Sequence, residues 1–461
     1  MNAPRPGESL HDLAKRRIVI DHQHFFWRSL YQEKTLHDGQ TSAAVFLPRR
    51  YPCPTGMTGF PRGHPPLEEP LMKFDVFHSI GRIDSLPVKL TDREVFMSFW
   101  EQLRLADELG FGTIWVAESH FSSEVQKRHK QPVIPHYHGE IGINCDSPQL
   151  AQMIMARTKR IGFGTAIYNI VGGNGGPIAA ADRIRSLAFL NQFVETPRKL
   201  DIGIASGRFP FINRPFGICP RNEFEAKNWQ ACSRLILCEA SEIFLRLFNG
   251  ETISSADITR RKFDATGAEY EPRWQFDEMM LVPALPEHEK KLVTFVLGTH
   301  DPVAQESALA WSDCDIFNLS FTAPDQIDAV HSAMRRRYEN TSRSWNRSRM
   351  PRTVLVFIDE TSKRARERAS DCFDMYIEAM RGTAAVPDKE ILMSRALIGD
   401  PVEIREQLSP ENSRRFHADD RLMLWFEFNQ SDSNAICGQM RLFAEQVAPH
   451  VTAPVKGNQP R

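Results

Sequence analysis

Short runs of β-branched and aromatic residues alternate with longer amphipathic segments from Met72 towards the C-terminus. Runs of this composition are typical of β-strands. Polar or turn-forming residues follow most of the runs and mark their ends. The predicted strands are KFDVFHS (73–79), TIWVAES (113–119), RIGFGTA (160–166), KLDIGIA (199–205), VTFVL (293–297), DIFNLS (315–320), TVLVFID (353–359) and RLMLWFEF (421–428).

Amphipathic segments separate nearly every pair of consecutive predicted strands. Between the first two, Phe96, Phe99, Leu103 and Leu109 recur at helical spacing, and Gly110 follows as a stop signal. A helix between two neighbouring strands requires that they pair in parallel. Eight such units predict an α/β protein with a (β/α)8 TIM barrel, and an open doubly wound sheet is the alternative.

Two long insertions interrupt the β/α pattern. One covers residues 122–146, after the second strand, and the other covers residues 206–290, after the fourth. The second contains the run 223–251, which predicts one long helix ended by Gly250. Both insertions begin at the C-terminal ends of strands, where barrel enzymes build their active sites.

Prolines crowd the segment 48–70, just before the first predicted strand. Proline fixes φ and removes a backbone donor, so the segment is not expected to form regular structure. The sequence therefore predicts a Pro-rich N-terminal extension over residues 1–71, irregular or partly disordered. A barrel domain over residues 72–455 and a tail over residues 456–461 complete the predicted organisation.

The composition describes an ordinary globular protein. Of 461 residues, 41% are hydrophobic and 25% are charged, and the formal net charge is −1, so no overall field attracts nucleic acid or a membrane surface. The eight cysteines are scattered without metal-site spacing, which indicates reduced thiols in a cytoplasmic protein. Neither a membrane-spanning apolar run nor a secretion signal is recognisable.

Histidine pairs occur in two places. His22 and His24 follow an apolar run and could chelate a metal, as in amidohydrolase barrels, but no later ligand series continues that pattern. His136 and His138 lie in the first insertion, where we interpret them as part of a lid or rim over a pocket. We therefore expect no metal site.

Glycine-rich loops follow the third, fourth and fifth strands. Neither VGGNGGP (171–177) nor GIASGR (203–208) fits GxGxxG, so no Rossmann site for a pyridine nucleotide is predicted. Such loops can still offer backbone N–H groups to a phosphate. Gly298 and Thr299 precede a helix that begins with Asp301 and Pro302, which indicates either a phosphate site or simple helix capping.

Five segments, in this order along the chain, resemble the bacterial luciferase-like flavin-dependent monooxygenases. The resemblance extends from Met72 to about Val451, roughly four fifths of the chain. The segments are ADELGFGTIWVAESHF (106–121), RTKRIGFGTAI (157–167), KLDIGIASGR (199–208), LIGDPVEIREQL (397–408) and MRLFAEQVAPHV (440–451).

The resemblance implies a TIM barrel that binds reduced FMN (FMNH2), supplied by a separate NAD(P)H:flavin reductase. Oxygen would add to the flavin at C4a, and the resulting (hydro)peroxyflavin would oxygenate a small organic substrate. Members of the family are commonly homodimers. The alternatives are an F420-dependent oxidoreductase of the same superfamily and a non-catalytic flavin-binding paralogue or partner subunit.

The resemblance also implies site residues. Family members read E-H-H-F where this chain has Glu118-Ser119-His120-Phe121, so Ser119 stands in the place of the expected general base. Serine cannot titrate near neutral pH, so we expect Ser119 and His120 to line the catalytic site and leave the base unassigned. Trp425 and Phe428 are either a substrate wall or core packing. The expected cofactor contacts are His78, Thr165, Ala166, Ser206, Gly207, Arg208, Gly298 and Thr299, with Arg208 replacing an arginine that the family places at Ser206.

Overall fold

The computed structural model describes residues 72–84, 86–126, 128, 139–140, 142–143, 146–207, 210–318, 322–339, 343–380, 388–410 and 415–451. The predictions for the N-terminal extension and the tail lie outside these residues. So do those for the two histidine pairs and for Arg208.

Eight parallel strands form the barrel that the sequence predicts. Neighbours pair in the order β10-β9-β11-β1-β3-β5-β6-β7-β8. A parallel bridge between Asn318, beyond the end of β8, and Arg352 of β9 joins the two sides. β10 is an extra strand on the outer edge of β9, and β2 pairs with β4 in an antiparallel ribbon. The strands are β1 (Lys73–His78), β2 (Arg82–Ile83), β3 (Thr113–Val116), β4 (Gly139–Glu140), β5 (Gly162–Asn169), β6 (Leu200–Ala205), β7 (Val293–Leu297), β8 (Cys314–Ile316), β9 (Arg352–Ile358), β10 (Leu397–Gly399) and β11 (Arg421–Trp425).

Helices cover the outside of the barrel. The predicted single helix over 223–251 is wrong in one respect, because Asn228 (φ −111°, ψ 26°) interrupts it and its side chain donates to the carbonyl of Phe224. The helices are α1 (Asp92–Leu109), α2 (Ser123–Gln126), α3 (Ser147–Arg157), α4 (Gly176–Asn191), α5 (Pro210–Asn213), α6 (Glu223–Lys227), α7 (Trp229–Asn249), α8 (Glu287–Lys290), α9 (Pro302–Leu309), α10 (Pro324–Glu339), α11 (Ser362–Met380), α12 (Lys389–Arg395), α13 (Pro401–Leu408), α14 (Ser433–Gln446) and α15 (Ala448–Val451).

A buried charge network fills the N-terminal end of the barrel. Arg421 donates from Nε to Asp75 at 2.7 Å and from a terminal nitrogen to Asp201 at 2.6 Å. Thr113 and the indole N–H of Trp115 complete the carboxylate contacts. Burial opposes ionisation of Asp201, but the charges of Arg421 and Lys199 and their hydrogen bonds together outweigh it and lower the pKa of Asp201 to about 2. The guanidinium therefore holds an ionised carboxylate inside the barrel.

Apolar side chains form the layer above this network. Phe77, Trp115, Val296, Phe317 and Met423 pack together as a cluster separate from the main core between barrel and helices. They come from five different strands or strand ends, as the inward-pointing layers of a barrel require. The charge network and this apolar layer thus fill the interior of the N-terminal half of the barrel.

Within the described residues, none of the helices has the length and apolar character needed to cross a membrane. The described cysteines are all free thiols.

Candidate active site

Small side chains at the C-terminal ends of consecutive strands form a floor across the barrel mouth. Ala117 follows β3, Ala166 belongs to β5, Ala205 ends β6 and Gly298 follows β7. Ala117 and Ala166 pack on the apolar layer below but remain partly exposed, and so does Trp425 beside them. A Cβ on Gly298 would lie 2.8 Å from Cγ2 of Ile167 and 3.1 Å from Cβ of Ala205, so only glycine keeps this part of the floor flat.

Two polar groups near this floor are buried and unpaired. The Oγ of Ser119 and the Nε1 of Trp425 make no hydrogen bond to any part of the chain that the structure describes. Ser119 is only 5% exposed, and it lies beneath the first insertion, where Gly142 approaches its Cβ. Buried polar atoms without partners are costly. Both atoms are therefore able to bind a partner from outside the described residues.

Glu118 is the centre of a hydrogen-bond cluster at the end of β3. One carboxylate oxygen accepts from Nε2 of His120 at 2.9 Å and from the amide of Asn174 at 2.6 Å. The other accepts from the hydroxyl of Ser147. The hydroxyl of Tyr168 is buried without a partner in the described residues, and burial, with a further contribution from the charge of Glu118, raises its pKa. The cluster fixes the position of the His120 ring.

The predicted glycine loop after β5 packs closely against this cluster. A Cβ on Gly172 would lie 2.6 Å from Oδ1 of Asn213, and one on Gly173 would lie 2.6 Å from Cδ2 of His120. The N–H groups of Val171 and Gly172 both donate to Oδ1 of Asn169. These glycines therefore permit close packing, and the two N–H groups are already engaged within the loop.

A second hydrogen-bond series links β5 to the long insertion. The side chain of Asn169 donates to Asn213 at 2.9 Å, and Asn213 donates to the carbonyl oxygen of Ser206 at 2.6 Å. Ser206 and Gly207 thereby stand at the rim of the mouth, directly after Ala205 of the floor. A Cβ on Gly207 would lie 2.6 Å from the Asn169 amide nitrogen. The insertion is thus held to the barrel at this rim.

The start of α9 is capped by the protein itself. Asp301 accepts from the N–H of Ala304 at 3.0 Å, and its own N–H donates to the hydroxyl of Thr299 at 3.1 Å. The capping interpretation therefore accounts for this motif. Thr165 is fully buried, and its hydroxyl donates to the carbonyl of Gly203, between β5 and β6. Contact between a cofactor and Thr165 or Thr299 stays a prediction.

His78 lies on the helix-facing side of β1, away from the floor. Its ring packs edge-on against Phe99 of α1, and its Nδ1 accepts from the N–H of Ile80 at 3.0 Å. Burial lowers the pKa of His78, against the opposing charge of Glu427. A neutral ring with the proton on Nε2 follows from this arrangement. A direct contact between His78 and a cofactor stays a prediction.

Sequence reasoning did not assign roles to Glu118, Ser147, Asn174 or Tyr168. Glu118 belongs to the motif Glu118-Ser119-His120-Phe121. Because it lies two residues from His120, both side chains are on the same side of an extended segment. The other three have no local signal, because they meet Glu118 only in the folded barrel. Across the described residues, no group of histidine, cysteine, aspartate and glutamate could hold a metal ion.

Together these features define a (β/α)8 barrel with an open, small-residue floor at its C-terminal face and unpaired buried donors beside it. The family model for luciferase-like monooxygenases matches residues 72–417. The chain belongs to that family. No curated protein sequence matches the chain.

Several solved structures with the same fold match this chain over nearly their whole length. Monooxygenase RslO1 from Streptomyces bottropensis is 19% identical, with 82% of this chain and 99% of that chain covered and a TM-score of 0.61. The oxygenating constituent of 3,6-diketocamphane monooxygenase from Pseudomonas putida, solved with FMN, is 17% identical, with 83% and 100% covered and a TM-score of 0.54. An F420-dependent secondary alcohol dehydrogenase is 14% identical, with 83% and 99% covered and a TM-score of 0.50. These likenesses show the fold.

Proposed function

We propose that this protein is a flavin-dependent monooxygenase that uses reduced FMN and O2 to insert one oxygen atom into a small organic substrate. The observation that carries the proposal is the floor formed by Ala117, Ala166, Ala205 and Gly298. A planar ring system needs a surface without projecting side chains, and this one lies at the face where barrel enzymes place their chemistry. Family membership and the FMN-bound structural relative support the same cofactor.

The polar groups around the floor suit the edge of a flavin ring. The ring carries both hydrogen-bond donors and acceptors, and Trp425 Nε1 offers a donor while Ser119 Oγ can act in either role. When bound, the reduced flavin supplies the electrons that activate O2. Ser206 and Gly207 at the rim would hold its polar tail, and Arg208 remains a predicted partner there.

Water exclusion and proton supply are the tasks of the chain itself. The segment around Gly142 covers Ser119, and the glycine loop after β5 covers His120, so both lie away from bulk water. A dry site protects activated oxygen from side reactions. Ser119 would donate a hydrogen bond at the reacting centre, and His120, held by Glu118, would be the nearby group able to exchange a proton.

We further propose the setting in which the enzyme works. The chain shows no Rossmann motif for a pyridine nucleotide, which supports supply of reduced flavin by a separate NAD(P)H:flavin reductase. The free thiols support a cytoplasmic location. A homodimer is the expected assembly, and sedimentation of the purified protein would measure it.

The reaction of the protein with reduced FMN and O2 tests the proposal without knowledge of the substrate. Reduced FMN is bound anaerobically and mixed with oxygenated buffer, and flavin oxidation and H2O2 release are followed together. We expect H2O2 to appear later than in a control without protein, because the site retains activated oxygen. Ser119→Ala should shorten the delay, whereas Ser186→Ala, an exposed serine of α4, should not.

Three results would contradict the proposal. Release of H2O2 in step with the control, despite tight flavin binding, would identify a non-catalytic flavin-binding paralogue or partner subunit. Binding of F420 in preference to FMN, with hydride transfer and no O2 uptake, would identify an F420-dependent oxidoreductase. Failure to bind either cofactor would contradict both the FMN-dependent and the F420-dependent function.

A further inference from the structure

A cavity of about 430 Å³ lies beside the barrel mouth, between the end of β6, the segment 210–220 and α7. Its volume is that of a site for a small organic molecule. Its walls are mainly apolar, and three of the lining residues, Trp229, Ser233 and Ile236, come from one face of α7. The apolar wall includes Val171, Ile218, Trp229 and Ile236.

Arg214 and Ser233 are polar side chains of the lining without a partner among the described residues. Arg214 is exposed and Ser233 is half-buried, and neither the guanidinium nor the hydroxyl makes a hydrogen bond or ion pair there. Other arginines of the same insertion are engaged: Arg261 pairs with Glu242 at 2.6 Å, and Arg273 pairs with Glu225 at 2.7 Å. Arg214 is therefore a cation available to a ligand in this cavity.

We propose that this cavity binds the acidic group and apolar body of the organic substrate, which is thus a carboxylic or sulfonic acid. The inference rests on the proposed monooxygenase function, and it names the substrate class for that site. Arg214 would pair with the anion, Ser233 would donate to it, and the apolar wall would take up the hydrocarbon part. Ser206 and Gly207 line the cavity and are also the proposed contacts of the flavin tail, so a substrate held by Arg214 and Ser233 lies next to the proposed flavin position.

The cavity fits an amphipathic acid better than an isolated anion. A phosphate or sulfate group would fill only a small part of 430 Å³ and would leave the apolar wall facing water. A neutral apolar ligand would gain nothing from the charge of Arg214 or the hydroxyl of Ser233. An aromatic or aliphatic acid satisfies both parts of the lining.

Binding of 1-naphthoate and its neutral amide to the flavin-free protein tests the proposal, with isothermal titration as the measurement. We expect the acid to bind at least about ten-fold more tightly than the amide, because a charge-assisted contact adds about that factor. Arg214→Gln should remove the preference and leave amide binding unchanged. Ser233→Ala should reduce the preference in part. Arg260→Gln, an exposed arginine of the same insertion outside the cavity, is the matched control.

Equal binding of acid and amide, or a preference that survives in Arg214→Gln, would overturn the proposal. The phosphate of FMN is the other anion to which this cavity is suited, and comparison of FMN with riboflavin, which lacks the phosphate, tests for it. If Arg214→Gln weakens FMN binding about ten-fold and leaves riboflavin unchanged, the cavity holds the flavin phosphate and the substrate assignment is wrong. Because these titrations require neither oxygen nor turnover, their failure is separable from failure of the monooxygenase proposal.

Discussion

The carboxylate of Glu118 holds the Nε2 of His120 at 2.9 Å, two residues away on the same strand end. Only 2% of the Glu118 side chain is exposed, so the carboxylate binds its protein partners and not bulk water. Where other family members are expected to have a histidine, this chain has Ser119, and its remaining histidine is anchored through Glu118. The pair therefore provides the fixed imidazole of the site.

Removal of the Glu118 carboxylate should destabilise the protein. Glu118→Ala removes the common acceptor of hydrogen bonds from His120, Asn174 and Ser147, and the loss of an acceptor from a buried cluster is costly. We expect the free energy of unfolding to fall by about 2–4 kcal/mol in denaturant titrations. Glu108→Ala is the control, because Glu108 is exposed and only weakly paired with Arg104. Similar losses in the two variants would show that the cluster is not a stabilising unit.

The charge network at the N-terminal end of the barrel predicts that the stability lost with Arg421 is recovered when its carboxylate partners are neutralised. Arg421→Met removes the guanidinium that contacts both Asp75 and Asp201 and leaves only Lys199 beside Asp201, which should cost about 3–5 kcal/mol in the free energy of unfolding. Adding Asp75→Asn and Asp201→Asn to that variant removes both charges and should recover most of the loss. Urea titrations of the single and triple variants measure this. A triple variant no more stable than Arg421→Met would contradict the electrostatic explanation.

Asp315 predicts a pH dependence of stability. Burial raises its pKa to about 6, against the opposing charge of Arg349, which donates to it at 2.8 Å. The folded state thus binds this proton more tightly than the unfolded state, whose pKa is about 3.9. The contribution to stability is full below about pH 4 and is lost as pH rises through about 6, by about 3 kcal/mol.

Comparison with Asp315→Asn isolates that contribution, because the amide does not titrate. The difference in unfolding free energy between wild type and variant, measured by denaturant titration from pH 4 to pH 7, should shift in favour of the variant as pH rises. A difference that is constant over this range would show that Asp315 has the same pKa in both states.

The strands of the barrel were predictable because both of their faces are buried. A parallel strand in a barrel is often an almost continuous apolar run, and β3 and β9 both contain one. β10 escaped prediction because its three residues give no periodic signal. The helix break at Asn228 was equally hidden, since asparagine is tolerated within helices and ends them only in suitable surroundings.

Partnerships within the site were less predictable than the strands. Ser147 and Asn174 lie 29 and 56 residues from Glu118 along the chain, and only barrel closure brings them together. The same holds for Arg421 and Asp75, which are 346 residues apart. The sequence located the strand ends that form the site, whereas the hydrogen bonds between those ends depend on tertiary structure.

The floor of small residues is the central feature of the account, and Gly298 tests it. A valine here would place its Cβ within 2.8 Å of Ile167 and would raise side-chain atoms into the space proposed for the flavin ring. Gly438→Ala is the control, because a Cβ at that helical position meets nothing within 4 Å. Unfolding titrations of both variants establish that each is folded.

The dissociation constant of reduced FMN, measured by anaerobic equilibrium dialysis, is the most direct test. We predict that wild type binds reduced FMN, that Gly298→Val weakens binding by at least about ten-fold through steric overlap, and that Gly438→Ala binds as wild type does. Unchanged binding in folded Gly298→Val, or no binding of reduced FMN by wild type, would contradict the assignment of the barrel mouth as a flavin site.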